Sequence, residues 1–203
     1  MSDILLLNPP YTSLGYKTIS SFASRSFPLG IGSMAGTLSQ RGFSFDIIDA
    51  DALDMDAGSV LKRVFGLKPR IIGMSTYTAC IDITQQLVRE IKKELNDSVV
   101  VLGGHHAFAA KDELLNECPC DIVAVSEGEY VFADICDAVL NAKDLNNVAG
   151  IYFRGRGGIK FTGERPYIKD LDELPAKHPK YDQCRTLGRF LRSCSQEPQH
   201  VPA

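Results

Sequence analysis

No stretch of this sequence is apolar for anything near the roughly 20 residues that a bilayer-spanning helix requires, so no membrane partner is expected. No basic leader or small-residue cleavage site accompanies its first apolar run, Ile4 to Leu7, which argues against a secretory signal. Positive charge is not in excess. The 22 lysines and arginines stand against 25 acidic residues, a formal −3, without the basic face that nucleic acid demands. The six cysteines, at 80, 118, 120, 136, 184 and 194, lack the spacing of a disulfide framework and point to a reduced, cytoplasmic protein. Neither G-x-G-x-x-G after a strand nor G-x-x-x-x-G-K-[ST] occurs, so dinucleotide and P-loop nucleotide sites are not supported. Cys118-Pro119-Cys120 has no second half to complete a zinc site.

What is present is alternation. In 203 residues, 44% of them hydrophobic, short apolar runs recur with helical stretches between them. The runs are Ile4 to Leu7, Phe43 to Asp49, Arg70 to Ser75, Val99 to Leu102 and Asp121 to Val125. Ile83, Leu87, Ile91 and Leu95 form one helical stripe with Val88 beside it, and Val131, Ile135 and Val139 form another. Gly42 and Pro69 fall where helices should stop before strands. Such a pattern predicts an α/β fold, a five-stranded parallel sheet with helices on both faces, over residues 1–145. The favoured strand order is the flavodoxin-like 2-1-3-4-5, with ligands at the carboxyl ends of the strands. Residues 146–165 read as a β-hairpin around a Gly/Arg turn. Residues 166–203 read as a polar linker and a poorly ordered tail.

The carboxyl ends of the runs carry the candidate binding residues: Asn8-Pro9-Pro10-Tyr11, Ser75-Thr76-Tyr77, Gly103-Gly104-His105-His106 and Glu127-Gly128-Glu129. Each set has a plain structural reading. Asn-Pro-Pro stiffens a loop. Ser75 and Thr76 suit helix N-caps. Gly-Gly suits a tight turn, and the two glutamates suit the positive end of the next helix. All four sets at one sheet edge make a stronger case for a ligand crevice than any one alone. Asp49 and Asp51 are read as a solvated loop, with a ribose or metal role as the alternative.

In their order along the chain, Asn8-Pro-Pro-Tyr, Pro28-Leu-Gly-Ile-Gly, Ile48-Asp49-Ala50, Ile72-Gly-Met-Ser-Thr, Leu102-Gly-Gly-His-His, Glu127-Gly-Glu and Leu171-Asp-Glu-Leu-Pro resemble one family. It is the cobalamin-binding amino-terminal half of cobalamin-dependent radical S-adenosylmethionine enzymes. The resemblance covers roughly residues 3 to 182. It implies a flavodoxin-like domain holding cobalamin across the strand ends, with the paired glycines admitting the corrin or the nucleotide tail and with Ser75 and Thr76 hydrogen-bonding the tail. The family's Gly-Gly-Pro-His stands here as Gly103-Gly104-His105-His106, so His106 matches the family histidine and His105 replaces its proline.

Two departures follow. The wider cobalamin-binding fold places a cobalt-ligating histidine in an Asp-x-His-x-x-Gly loop after strand one. Here that loop reads Asn8-Pro9-Pro10-Tyr11, so no histidine from it is expected on cobalt. The radical enzymes also carry Cys-x-x-x-Cys-x-x-Cys beyond the linker. This chain has no such spacing, so no iron–sulfur cluster is expected in it and the radical domain is read as missing, whether by truncation, by frameshift or because a separate chain supplies it. Two other functions remain open from the residues: a small enzyme pairing His105 or His106 with Glu127 or Glu129 in acid–base work, and an interaction domain that has kept the fold without its ligand.

Overall fold

Leucine and isoleucine fill β1 (Ile4–Asn8) on both faces, and every residue of it is buried. A strand without polar alternation must be covered on both sides, which is the condition of a central parallel strand. The computed structural model describes residues 2–10 and 28–175. There β1 lies between β2 (Phe45–Asp49) and β3 (Ile71–Ser75), parallel to both. Outward from β3 follow β4 (Val99–Gly103) and β5 (Ile122–Ala124), again parallel. The order 2-1-3-4-5 is the one expected.

The hairpin joins this same sheet. Strands β6 (Ile151–Gly155) and β7 (Gly158–Phe161) meet at the two-residue turn Arg156-Gly157. β6 pairs antiparallel with β5, Ala124 opposite Ile151, giving seven strands in the order 2-1-3-4-5-6-7. The sequence reading ended the sheet at five strands because the hairpin's alternation looks complete in itself. Its buried side, Ile151 and Phe153, packs into the core beside Ile122 and Ala124.

Helices cover the sheet unequally. α1 (Leu29–Gln40) and α6 (Gly128–Leu140) lie on one face, where Ile31, Ala35, Leu38, Val131 and Ile135 meet Ile4, Leu6 and Ile71. The other face carries α2 (Ala57–Leu67), α3 (Ile81–Glu94) and the short α4 (His105–Ala110) and α5 (Asp112–Glu117). The α3 stripe is buried as its spacing predicts, Ile83, Leu87, Val88 and Ile91 against Leu5, Leu7 and Ile72, while Leu95 caps its end half-buried. α2 starts on Asp56, whose carboxylate accepts from the Ser59 amide; the Ser59 side chain and then its amide hold that carboxyl below the usual carboxylate range. It stops at Lys68, in the left-handed region directly before Pro69. Among the described residues no helix is long and apolar enough to cross a membrane.

Candidate functional site

Side-chain size opens a hollow at the carboxyl ends of the strands. On the face toward α1 and α6 the terminal residues are Gly73 and Ser75 of β3, Gly103 of β4 and Ala124 of β5. Ser75 stands opposite Gly103 in register, and a Cβ on Gly103 would lie 3.8 Å from that of Ala124, an ordinary contact. Where large side chains would meet the helices, these positions leave a cavity of about 220 Å³ between the amino ends of α1 and α6. Its floor is apolar, formed by Val101, Ala124, Phe132 and Met34. The Phe132 ring can lie against the sheet only because residue 73 is glycine, since a Cβ there would come within 2.6 Å of the ring. The rim is polar, with Ser75, Tyr77, His105, Ser126 and Glu129.

Seven of the sequence-identified residues therefore line one cavity: Ser75, Tyr77, Gly103, Gly104, His105, Gly128 and Glu129. The rest stand apart from it, for specific reasons. Thr76 is fully buried, and its hydroxyl donates to the Gly103 carbonyl (2.8 Å) while accepting from the Ala107 amide (3.0 Å). The backbone amide of Thr76 also donates to Gly103, at 2.7 Å. This residue is a strut between the β3 and β4 loops, and its hydroxyl is already committed. Ser75, the other hydroxyl of this pair, lines the cavity. Asn8 is buried and donates to the Asp49 carboxylate at 2.8 Å, joining the ends of β1 and β2. Pro9 and Pro10 are buried beside it. Tyr11 lies outside the described residues. Asp49 and Asp51, expected as a solvated loop, are both buried, and Asp49 also accepts from the Ala52 amide.

Gly104 is a glycine by backbone necessity. It has φ +99 and ψ −171, a region essentially reserved for glycine. A Cβ there would sit 2.9 Å from the Thr76 carbonyl oxygen. The side chain would thus collide with the neighbouring loop. Gly103 is the position whose side chain would enter the cavity.

His105, His106 and Glu127 each engage a partner other than one another. The His106 ring Nδ1 shares a hydrogen bond with the Thr78 hydroxyl (3.1 Å), and His105 packs against the Tyr77 ring at 5.8 Å between centroids. Glu127 accepts from the backbone amide of Ile168 at 2.6 Å, so its carboxylate faces the segment after the hairpin. Among the described residues no hydrogen bond joins either histidine to either glutamate, and no group of three or more His, Cys, Asp or Glu is placed to hold a metal ion. The Cys118–Cys120 pair lies before β5, away from the cavity. Each thiol of the pair faces the other and the Leu114 carbonyl, and their mutual interaction draws the Cys118 thiol down and pushes the Cys120 thiol up.

Sequence reasoning missed the α1 contribution of Pro28, Gly30, Ile31 and Met34, and also Gly73 and Phe132, whereas Ser126 stands in the strand-five end Ser126-Glu127-Gly128-Glu129 that the sequence marks. The signal for α1 was legible in Pro28-Leu-Gly-Ile-Gly, where small residues open a helix. Phe132 carried none, because an aromatic residue on a buried helix stripe reads as ordinary core.

The sequence matches the B12 binding domain family over residues 17–136. Among curated proteins it is 30% identical over 181 residues to an uncharacterized methyltransferase of Pyrococcus horikoshii, a match covering 88% of this chain and 38% of that protein. It is 31% identical over 172 residues to an anaerobic magnesium-protoporphyrin IX monomethyl ester cyclase of Synechocystis, covering 83% of this chain and 34% of the cyclase. In fold it matches the cobalamin-dependent S-adenosylmethionine radical enzyme OxsB, solved with aqua-cobalamin and S-adenosylmethionine bound. There the TM-score is 0.76 at 17% identity, over 93% of this chain and 26% of that one. It also matches the radical S-adenosylmethionine methyltransferase TsrM of Kitasatospora setae, solved with cobalamin and a [4Fe-4S] cluster, with TM-score 0.67 at 15% identity, over 89% of this chain and 32% of that one. The chain spans about a third of the length of the curated relatives it matches.

Proposed function

Because the chain belongs to the B12 binding domain family, we propose that its strand-end cavity receives the nucleotide tail of cobalamin while the corrin lies outside, over the ends of β3 to β5. The observation that carries this reading is the small-residue hollow. Small-molecule sites commonly enclose roughly 300–1,000 Å³, and this cavity, at about 220 Å³, is sized for one flat apolar part of a much larger ligand. Its apolar floor suits an aromatic base, and its rim of Ser75 and Ser126 offers hydroxyls to a sugar-phosphate. Gly103 keeps the β4 end free of side chain where the tail would pass.

Cobalamin, where bound, supplies the group-transfer and radical chemistry of its cobalt, and the protein's share is position and shielding. Ser75 and Ser126 orient the tail, Phe132 and Met34 exclude water from the base, and Thr76 fixes the loop that carries Gly103 and Gly104. A radical S-adenosylmethionine domain, from the same longer polypeptide or from a separate chain, is the partner that would provide an iron–sulfur cluster and a substrate site. The cytoplasm suits the four free thiols found buried at Cys80, Cys118, Cys120 and Cys136.

Titration of the 203-residue chain with aquacobalamin, followed by visible absorption, tests the reading. A saturable complex with one cobalamin per chain is expected. Gly103→Val should fold as the parent does and lose most of that affinity. A folded parent that leaves the cobalamin spectrum unchanged would sink the assignment.

A further inference from the structure

The chain does not leave the sheet freely after β7. Residues 163–169 turn back and cross the amino end of α6 beside the cavity. Three attachments hold them there. The Glu127 carboxylate accepts from the Ile168 amide at 2.6 Å. The Arg165 guanidinium pairs with Asp134 of α6 at 2.7 Å. The Gly163 carbonyl accepts from the Gly150 amide at 2.9 Å, while the Gly150 carbonyl accepts from Val125 at 2.9 Å. Gly150, at φ +86, is the crossing point: a Cβ on it would come within 2.9 Å of Ser126 Cβ and 3.1 Å of Arg165 Cβ. The β5 loop, the entry to β6 and the returning segment thus touch at one residue with no room for a side chain.

Two of these contacts belong to residues at the cavity. Ser126 and Gly128 line the cavity, and Glu127 stands between them. The backbone that shapes this side of the cavity is therefore the backbone that aims the Glu127 carboxylate at Ile168. Any ligand that fixes residues 126–128 reduces the freedom of that carboxylate, and any order in the returning segment fixes residues 126–128 in turn. Such linkage is reciprocal by thermodynamic necessity.

Resting on the cobalamin reading above, we infer that residues 163–169 are a strap and that Glu127 is a positioning residue coupling its order to occupancy of the cavity. The Glu-Gly-Glu set then divides its labour. Glu129 belongs to the rim of the cavity, and Glu127 holds the outgoing chain, so the direction in which the polypeptide continues past Ile168 is set relative to the ligand.

Hydrogen exchange at the Ile168 amide in the 203-residue chain, with and without saturating aquacobalamin, tests this. In the parent protein cobalamin should slow exchange at Ile168 by about five-fold or more, the lower end of ordinary coupling between sites. Glu127→Ala should exchange faster at Ile168 in the free protein, lose the cobalamin-dependent slowing and bind cobalamin about five-fold more weakly. Glu127→Gln keeps a carbonyl acceptor and should restore both effects. Arg165→Ala frees the strap at its other anchor without touching the cavity, and should also weaken the slowing. If Ile168 exchanges alike in the free parent and in Glu127→Ala, the carboxylate is no anchor and the inference falls. If visible absorption shows cobalamin bound while Ile168 exchange is unchanged by it, the coupling falls and the cofactor reading survives. Absence of a spectral complex overturns the cofactor reading and the coupling together, and the free-protein comparison still decides the anchor.

Discussion

Gly103 and Gly104 are adjacent and chemically identical, yet the fold uses them differently. At Gly104 the backbone itself demands glycine, with φ +99 and the Thr76 carbonyl 2.9 Å from where a Cβ would be. Gly104→Ala should therefore destabilise the domain by about 1–3 kcal/mol, the usual scale of a strained backbone position. Urea unfolding monitored by circular dichroism would measure it. At Gly103 the backbone accepts a side chain, so Gly103→Ala should leave the unfolding midpoint near that of the parent. Equal loss at both positions would mean that the pair is simply a tight turn. The same scale of reasoning applies to the histidines. His106 is held by Thr78, and His105 lies against Tyr77 on the rim above an apolar floor. In the proposed mode the base of cobalamin lies in the cavity and not on cobalt, and both rings already contact protein partners, His106 the Thr78 hydroxyl and His105 the Tyr77 ring. Paramagnetic resonance of the bound cobalt(II) form should therefore lack the three-line splitting of an axial nitrogen. A three-line pattern that disappears in His106→Ala would show that this histidine is a ligand.

At the scale of elements, one hydroxyl ties the loop after β3 to the end of β4 and to α4, beyond the backbone pairing of the two strands. Thr76 donates to Gly103 in partial burial and accepts from Ala107 of α4 in full burial. Thr76→Val keeps the shape and removes both bonds, stranding the Ala107 amide without its acceptor. An unsatisfied buried group costs about 1–3 kcal/mol. Thr76→Val should lower the urea midpoint accordingly with an unchanged m-value, whereas Thr76→Ser should stay close to the parent. The elements themselves were largely legible. All five parallel strands lie within a few residues of their apolar runs, because strands buried on both faces are written as runs of Ile, Leu and Val. Helix α3 was legible through its 3.6-residue stripe. The break into α4 and α5 was not, since His105 to Glu117 holds too few apolar residues in each piece to show a period. Nor was the placement of the hairpin against β5, which depends on a pairing partner distant in sequence. The site was legible as a location, because parallel sheets put loops from every strand at one edge. What was not legible is that the polar groups of Thr76, Asn8 and Glu127 hydrogen-bond the protein's own backbone and side chains, because those partners are distant in sequence.

At the scale of the whole molecule, the sheet is a partition. Its α1/α6 face carries the cavity, and Cys136 is buried in that face under α6. Cys80, Cys118 and Cys120 are buried in the opposite face. Cys80 lies beyond the carboxyl end of β3, while Cys118 and Cys120 lie before the amino end of β5, so the three stand at opposite ends of parallel strands. The partition has a consequence for chemistry. A [4Fe–4S] cluster needs a converging set of thiolates, and the described thiols converge only as the single pair Cys118 and Cys120, while burial raises the Cys80 thiol to about 11 and pushes up that of Cys136 as well. Cys184 and Cys194, outside the described residues, are too far apart in sequence for the Cys-x-x-x-Cys-x-x-Cys spacing. The four described thiols are thus spent on packing. Anaerobic reconstitution of the 203-residue chain with iron and sulfide should leave less than stoichiometric iron after desalting and no cluster signal in paramagnetic resonance of the reduced sample, while the same preparation still takes up cobalamin. One intact cluster per chain would place radical chemistry within these residues and would require Cys184 and Cys194 to come together with a thiol that this fold buries.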